Sequence, residues 1–124
     1  MAELPPSVIR RVVVEGATFV QLEGRDPDMW WAVTSDQRYT DGESLDTSEL
    51  PEERRKIKEL ERDRTDAIKE YDADVRSGNM SSDERRVAIA LHDQEISDQT
   101  KTVRLLSRLA DAQREPAFFG YGRR

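Results

Sequence analysis

The sequence predicts an α+β protein: a small N-terminal antiparallel β module (hairpin or meander) over residues 1–47, a long antiparallel α-helical hairpin over 48–115, and a C-terminal extended arm over 116–124. Three observations carry this. In the first third, β-branched and aromatic residues come in short runs separated by turn residues. From Pro51 onward the apolar period changes to about 3.6 residues. After Pro116 the period stops, and aromatic and arginine residues crowd the chain's end.

Composition sets the frame. The chain has 124 residues, with 20 Lys+Arg against 26 Asp+Glu, one His, no Cys and a net charge of −6. Leu, Ile, Val and Phe together number 26 of the 124, just above the roughly 20% below which highly charged chains tend to be disordered. So little apolar material makes a compact core thin, and long helices, a partner surface or oligomerisation are expected to complete the burial. The lack of Cys removes disulfides, thiolate nucleophiles and Cys-type zinc sites. There is no apolar run of membrane-spanning length, and Met1 to Pro6 has neither a basic nor an apolar leader region; the expectation is no membrane insertion and synthesis in the cytoplasm. Residues 1–47 carry 4 basic and 9 acidic side chains, whereas 116–124 carry only Arg123 and Arg124. Basic residues are nowhere interleaved with aromatics in a patch, so direct nucleic-acid binding is not expected.

In the β module, Val8–Val14 and Ala17–Glu23 flank Glu15-Gly16, where Gly supplies the positive φ that a two-residue hairpin turn requires. Such a turn sets Val12 opposite Phe19 on one face and Ile9 opposite Leu22 on the other. Both faces are then apolar, so the hairpin is expected to be covered on both sides, by the helices on one and by another subunit on the other. Met29–Thr34 reads as a third strand and Gln37–Thr40 as a weaker fourth. A short helix capped by Asp26 with Pro27 in its first turn is the rival for this stretch. Residues 41–49 are polar and turn-rich and form the boundary to the helices.

The first helix is expected from Pro51 to about Arg76, with Ser48 as cap and Glu52 and Glu53 at the positive end of the dipole. Leu50, Ile57, Leu60, Ala67, Ile68, Tyr71 and Val75 form its stripe, interrupted by Arg64. Ser77 to Ser81 break the helix, and Ser81 with Glu84 makes a capping box for the second. Ile89, Ile96, Val103 and Ala110 then repeat every seven residues, with His92, Gln99 and Leu106 three further on. At 1.5 Å per residue the helices are roughly 40 and 50 Å long, and the short loop makes them antiparallel. Arg64, His92 and Gln99 sit in the seam, where polar residues penalise wrong registers. Leu91, Leu105 and Leu109 lie off the seam and require a second neighbour, either the β module or another chain.

No catalytic, metal or cofactor site is expected. His92 is the only histidine, and consecutive helix positions around it diverge, which suits a seam or surface residue. No G-x-S-x-G elbow marks an activated Ser. Close carboxylates such as Asp26/Asp28, Asp41/Glu43 and Asp72/Asp74 lack an apolar pocket to perturb them. A calcium loop centred on Gly42 places Gln37 and Ser48 where ligating carboxylates belong, and Gly120-Tyr121-Gly122 lacks the Lys and following helix of a phosphate loop.

The residues expected to bind partners are aromatic and basic. Trp30 and Trp31 must face opposite ways in a strand. Trp31, with Met29 and Val33, is the expected core residue, and Trp30, with Tyr39 across a hairpin, the expected interface anchor; the alternative is that the helices cover Trp30. Phe118, Phe119 and Tyr121, followed by Arg123 and Arg124, read as a docking arm for an acidic surface, the alternative being an arm folded back on the hairpin. The expected function is that of a non-enzymatic structural or adaptor protein assembling with copies of itself and with other subunits, in concrete form a bacteriophage virion component (head, connector or tail). The rival expectation is a small acidic regulator or inhibitor of a host nucleic-acid-binding enzyme, bound through that enzyme's basic surface.

Overall fold

The computed structural model describes residues 8–33 and 44–115. The elements are β1 (Val8–Val14), β2 (Ala17–Leu22), β3 (Met29–Ala32), β4 (Ser44–Asp46), a 3₁₀ turn (Thr47–Glu49), α1 (Leu50–Ser77) and α2 (Ser82–Ala112). An antiparallel sheet ordered β1-β2-β3-β4 followed by two long helices realises the expected α+β architecture. Two compact units result: the described residues up to Leu50 together with those from Arg104 onward, and Pro51–Val103. The last turns of α2 thus group with the sheet rather than with the rest of the hairpin, a division that strand and helix periods alone do not mark.

In the sheet unit, Glu15 and Gly16 have φ of 51° and 84°. Two consecutive left-handed residues make the type I′ turn whose twist matches that of the strands. Val12 pairs with Phe19 as expected, but Ile9 does not pair with Leu22: a bulge makes Val8 the partner of Leu22 and Arg10 that of Gln21. One extra residue on β1 produces this shift. At the next turn, Asp28 N–H donates to Asp26 Oδ1 (2.9 Å) and Met29 N–H to Asp26 O (3.1 Å). Asp26 therefore closes an Asx turn, not a helix, and β3 follows as expected.

The expected fourth strand, Gln37–Thr40, lies outside the described residues. The strand seen, β4, falls within 41–49, read from sequence as boundary alone. Its Leu45 pairs with Trp30, so a single apolar residue among polar ones is enough to place it on the core face. The entry to α1 differs too. Ser48, the expected cap, lies inside the 3₁₀ turn, and Asp46 caps that turn: its Oδ1 accepts from Ser48 N–H (2.9 Å) and Ser48 Oγ (2.7 Å). The intervening 3₁₀ turn moves the cap upstream of the expected position.

The core of this unit joins Val14, Phe19 and Trp30 to Leu109, with Val12, Ala32, Leu45, Leu105 and Ala112 packed around them. Val20 and Leu22 are buried on the sheet's other face.

In the helical unit, Gly78 ends α1 with φ 83°, its N–H donating to Val75 O (3.2 Å) while Asn79 N–H donates to Asp74 O (2.9 Å). This pair of bonds is a Schellman motif, which only a left-handed residue can close without strain. The capping box forms as read: Ser81 Oγ accepts from Glu84 N–H and Glu84 Oε1 accepts from Ser81 N–H, both at 3.0 Å.

The backbone bond from Ser81, then the bond to its side chain, lowers the Glu84 pKa below the ordinary carboxylate value. A group whose pKa is depressed by folding stabilises the fold above its unfolded value, about 4.3, and loses that contribution as pH falls through the folded value. Thermal melts followed by helical circular dichroism should show this as an acid-side loss of stability starting near pH 4. In Glu84→Gln, which keeps a neutral acceptor, that step should be smaller. Identical acid limbs in the two proteins would remove the capping role.

Candidate interaction surfaces

The hairpin unit has a seam of mixed chemistry. Gln99 Nε2 donates to Glu53 O (3.0 Å), Arg64 Nε to Asp93 Oδ1 (2.6 Å) and Arg85 Nε to Asp72 Oδ1 (2.7 Å), while Tyr71 Oη and His92 Nε2 are hydrogen-bonded at 3.0 Å. Arg64, His92 and Gln99, the polar interruptions expected in the seam, each meet a partner on the facing helix. The solvent-facing ion pairs among these add little energy, on the order of 0–1 kcal/mol each, but they define register.

Apolar burial there is partial. Ile57, Leu60, Ala67, Ile68, Tyr71 and Val75 of α1, and Ile89, Ile96 and Val103 of α2, are all half-buried, and no residue of Pro51–Val103 is fully buried. Two helices alone cannot enclose a seam, because each stripe keeps one flank in water. Val87 and Leu91, one turn apart on α2, are 58% and 63% exposed. Leu105 and Leu109 continue the same stripe toward the C-terminus and are taken up by the sheet. Of the three leucines expected off the seam, two have the β module as neighbour, while Leu91 stands exposed among the described residues. A groove of about 400 Å³ on this unit is lined by Glu59, Asp63, Glu95 and Asp98 together with Lys56 around Leu60.

In the sheet unit the residue expected to bind a partner is core. Trp30 is 0% exposed, its Nε1 donating to Gln113 Oε1 (3.0 Å), whereas Trp31 is only half-buried. This corrects the assignment of Trp30 to an interface and of Trp31 to the core, and realises the alternative in which a helix covers Trp30. The reason is register. Phe19 pairs with Ala32 and Trp30 with Leu45, which puts Trp30 on the face of Val12 and Val14, where Leu105 and Leu109 pack.

Tyr39, Phe118, Phe119, Tyr121, Arg123 and Arg124 lie outside the described residues, as does the arm they define.

Sequence reading missed two polar hubs. Gln113 accepts at Oε1 from Trp30 and from Thr47 Oγ1 (2.9 Å) and donates from Nε2 to Asp28 Oδ1 (3.1 Å), so one side chain joins the end of α2 to β3, the 3₁₀ turn and the β2–β3 turn. Gln21, 2% exposed, donates to Pro27 O (2.6 Å) and Met29 O (3.2 Å) and accepts from Arg10 (2.9 Å). Arg10 Nε also donates to Glu115 O (2.8 Å). The available signal was spacing: Gln113 lies four residues after Leu109, on the stripe that faces the sheet, and a buried Trp requires an acceptor.

Among the described residues no group of three or more His, Asp or Glu is placed to hold a metal ion, and no helix is long and apolar enough to cross a membrane. Comparisons with protein-family models, with curated proteins and with solved structures find no match to this chain.

Proposed function

We propose that this protein is a non-enzymatic assembly or adaptor protein whose helical hairpin completes its burial against another chain, either a copy of itself or a different subunit. The observation that carries the reading is the hairpin unit's incomplete core: apolar side chains recur through 28- and 31-residue helices, yet none within Pro51–Val103 is fully buried, and Val87 and Leu91 stand more than half exposed. A pair of exposed aliphatics one turn apart beside a half-covered seam is a surface that a further helix would cover. A bacteriophage virion subunit is the concrete form of this proposal.

Sedimentation or light scattering tests it on the full chain. The wild type is expected to run above the 14.3 kDa monomer or to co-purify in a stoichiometric complex, and Leu91→Glu with Val87→Glu should shift it to the free monomer while leaving its helical content intact. Both positions are exposed, so the fold should tolerate the change. A free monomer in the wild type would overturn the proposal. The second reading, a small acidic regulator, is favoured by the excess of carboxylates around Leu60, four against the single cation Lys56. It calls for a monomer or dimer that binds one basic target with steep salt dependence.

A further inference from the structure

Two strands bound the sheet, and they differ. β4 has three residues, whereas β1 has seven and contains no proline. Short edges resist pairing with another chain; long ones invite it. The two-residue turn makes Val14 and Ala17 the bonded pair that closes the β1–β2 hairpin, and bonded pairs alternate with unbonded ones along an antiparallel ladder. Arg11 and Val13 therefore turn their backbone N–H and C=O groups away from β2. Among the described residues no backbone group meets them.

Charge is concentrated along this edge. A groove of about 320 Å³ lies between Arg10, Arg11 and Val12 on the strand and Arg108, Asp111 and Ala112 on α2. Arg10 is held by Gln21 Oε1 and by the backbone oxygen of Glu115, two neutral acceptors that orient the guanidinium without cancelling its charge. Arg11 and Arg108 are exposed and make no ion pair among the described residues. Two acidic residues, Asp111 and Glu115, also line the groove, and Asp111 is engaged by Arg114 at 3.7 Å. Three guanidinium groups against two acidic residues thus flank a strand edge that is unpaired among the described residues, a local excess of positive charge in a chain whose net charge is −6. A second copy of β1 paired antiparallel about a two-fold axis at the strand's centre is disfavoured, because that register sets the two Arg11 side chains opposite each other.

We propose that the outer edge of β1 is a strand-addition site for an extended acidic segment of a partner protein. The backbone groups of Arg11 and Val13 supply the ladder bonds. Because side chains of an added strand alternate between faces, carboxylates on one face meet Arg10 and Arg108 and those on the other meet Arg11, while apolar residues lie along Val12 and Val13. This site is independent of the hairpin's association, being built from the other unit of the fold.

The test is fluorescence anisotropy with the full chain and a labelled peptide, Glu-Val-Asp-Glu-Val-Thr-Val, beside the same peptide with its carboxylates replaced by Lys, and two copies N-methylated at alternate residues of opposite phase. The acidic peptide should bind, more weakly at high salt, and the Lys peptide should not. Arg11→Glu with Arg108→Glu should weaken binding about tenfold or more with the fold intact, since both side chains are exposed. One N-methyl phase should abolish binding while the other leaves it, and amide exchange at Arg11 and Val13 should slow in the complex. Leu91→Glu, which addresses the hairpin, should leave peptide affinity unchanged. Absence of binding, equal binding of both N-methyl phases, or equal binding of the Lys peptide would overturn the proposal. So would concentration-dependent protection of Arg11 and Val13 in the protein alone, which would give the edge to a second copy.

Discussion

Trp30→Ala is expected to destabilise the protein by about 3–5 kcal/mol, the range for removing a fully buried large aromatic. Trp30 is 0% exposed and sits where Val14, Phe19 and Leu109 meet, so its loss opens a cavity in a cluster that joins α2 to the sheet. It also takes the indole donor from Gln113. Against the roughly 5–15 kcal/mol that stabilises a typical domain, this lowers the unfolding midpoint by on the order of 10 °C or more. Trp31→Ala, at a half-buried position on the opposite face, should cost about 1–2 kcal/mol. Trp30→Phe should fall between them, because the ring refills most of the volume while the hydrogen bond is lost. Chemical denaturation of the three variants gives the order directly, and a Trp31 variant less stable than its Trp30 counterpart would reverse the face assignment.

Replacing Gln113 with Leu is expected to cost about 2–4 kcal/mol, although the new side chain is apolar and of similar length. The Trp30 N–H has no solvent to turn to at 0% exposure, and Asp28 Oδ1 loses its donor from Gln113. An orphaned buried donor costs about 1–3 kcal/mol by itself. Thr47 is partly protected, since its hydroxyl also lies 3.2 Å from Asp28 O. The two substitutions should be strongly non-additive: in a Trp30→Phe background no indole N–H remains to be orphaned, so Gln113→Leu should cost less there by about 1 kcal/mol or more. Equal costs in both backgrounds would show that the Gln113–Trp30 bond contributes nothing.

The elements legible in the sequence are those specified by neighbours along the chain. Glu15-Gly16 announces its hairpin because a two-residue turn needs positive φ, and the strands around it follow by β propensity. Ser81 and Glu84 announce the start of α2 because each satisfies the other's backbone donor across one turn. The helical stripes and their polar interruptions at Arg64, His92 and Gln99 follow from the 3.6-residue period, and each interruption finds its partner on the facing helix. The bulge at Ile9 was hidden, since it needs a partner strand to define it. β4 was hidden for a related reason: three residues carry too short a pattern to read, and Leu45 gains its meaning only opposite Trp30.

By itself the sequence determined that this chain is a small β module joined to a long helical hairpin, and that its apolar residues are too few and too spread out to enclose every helix face. It also determined that Trp30 and Trp31 point in opposite directions, because alternation in a strand is a local property. Only the tertiary structure decided which of the two is core. That choice depends on which face of the sheet receives Leu105 and Leu109, residues more than seventy positions away, and no local period carries information about it. The same holds for Gln113, whose amide becomes a hub only when the end of α2 meets β3, the 3₁₀ turn and the β2–β3 turn at once. Hydrogen-bond partners so distant in sequence are brought together by packing, and burial makes each of them obligatory.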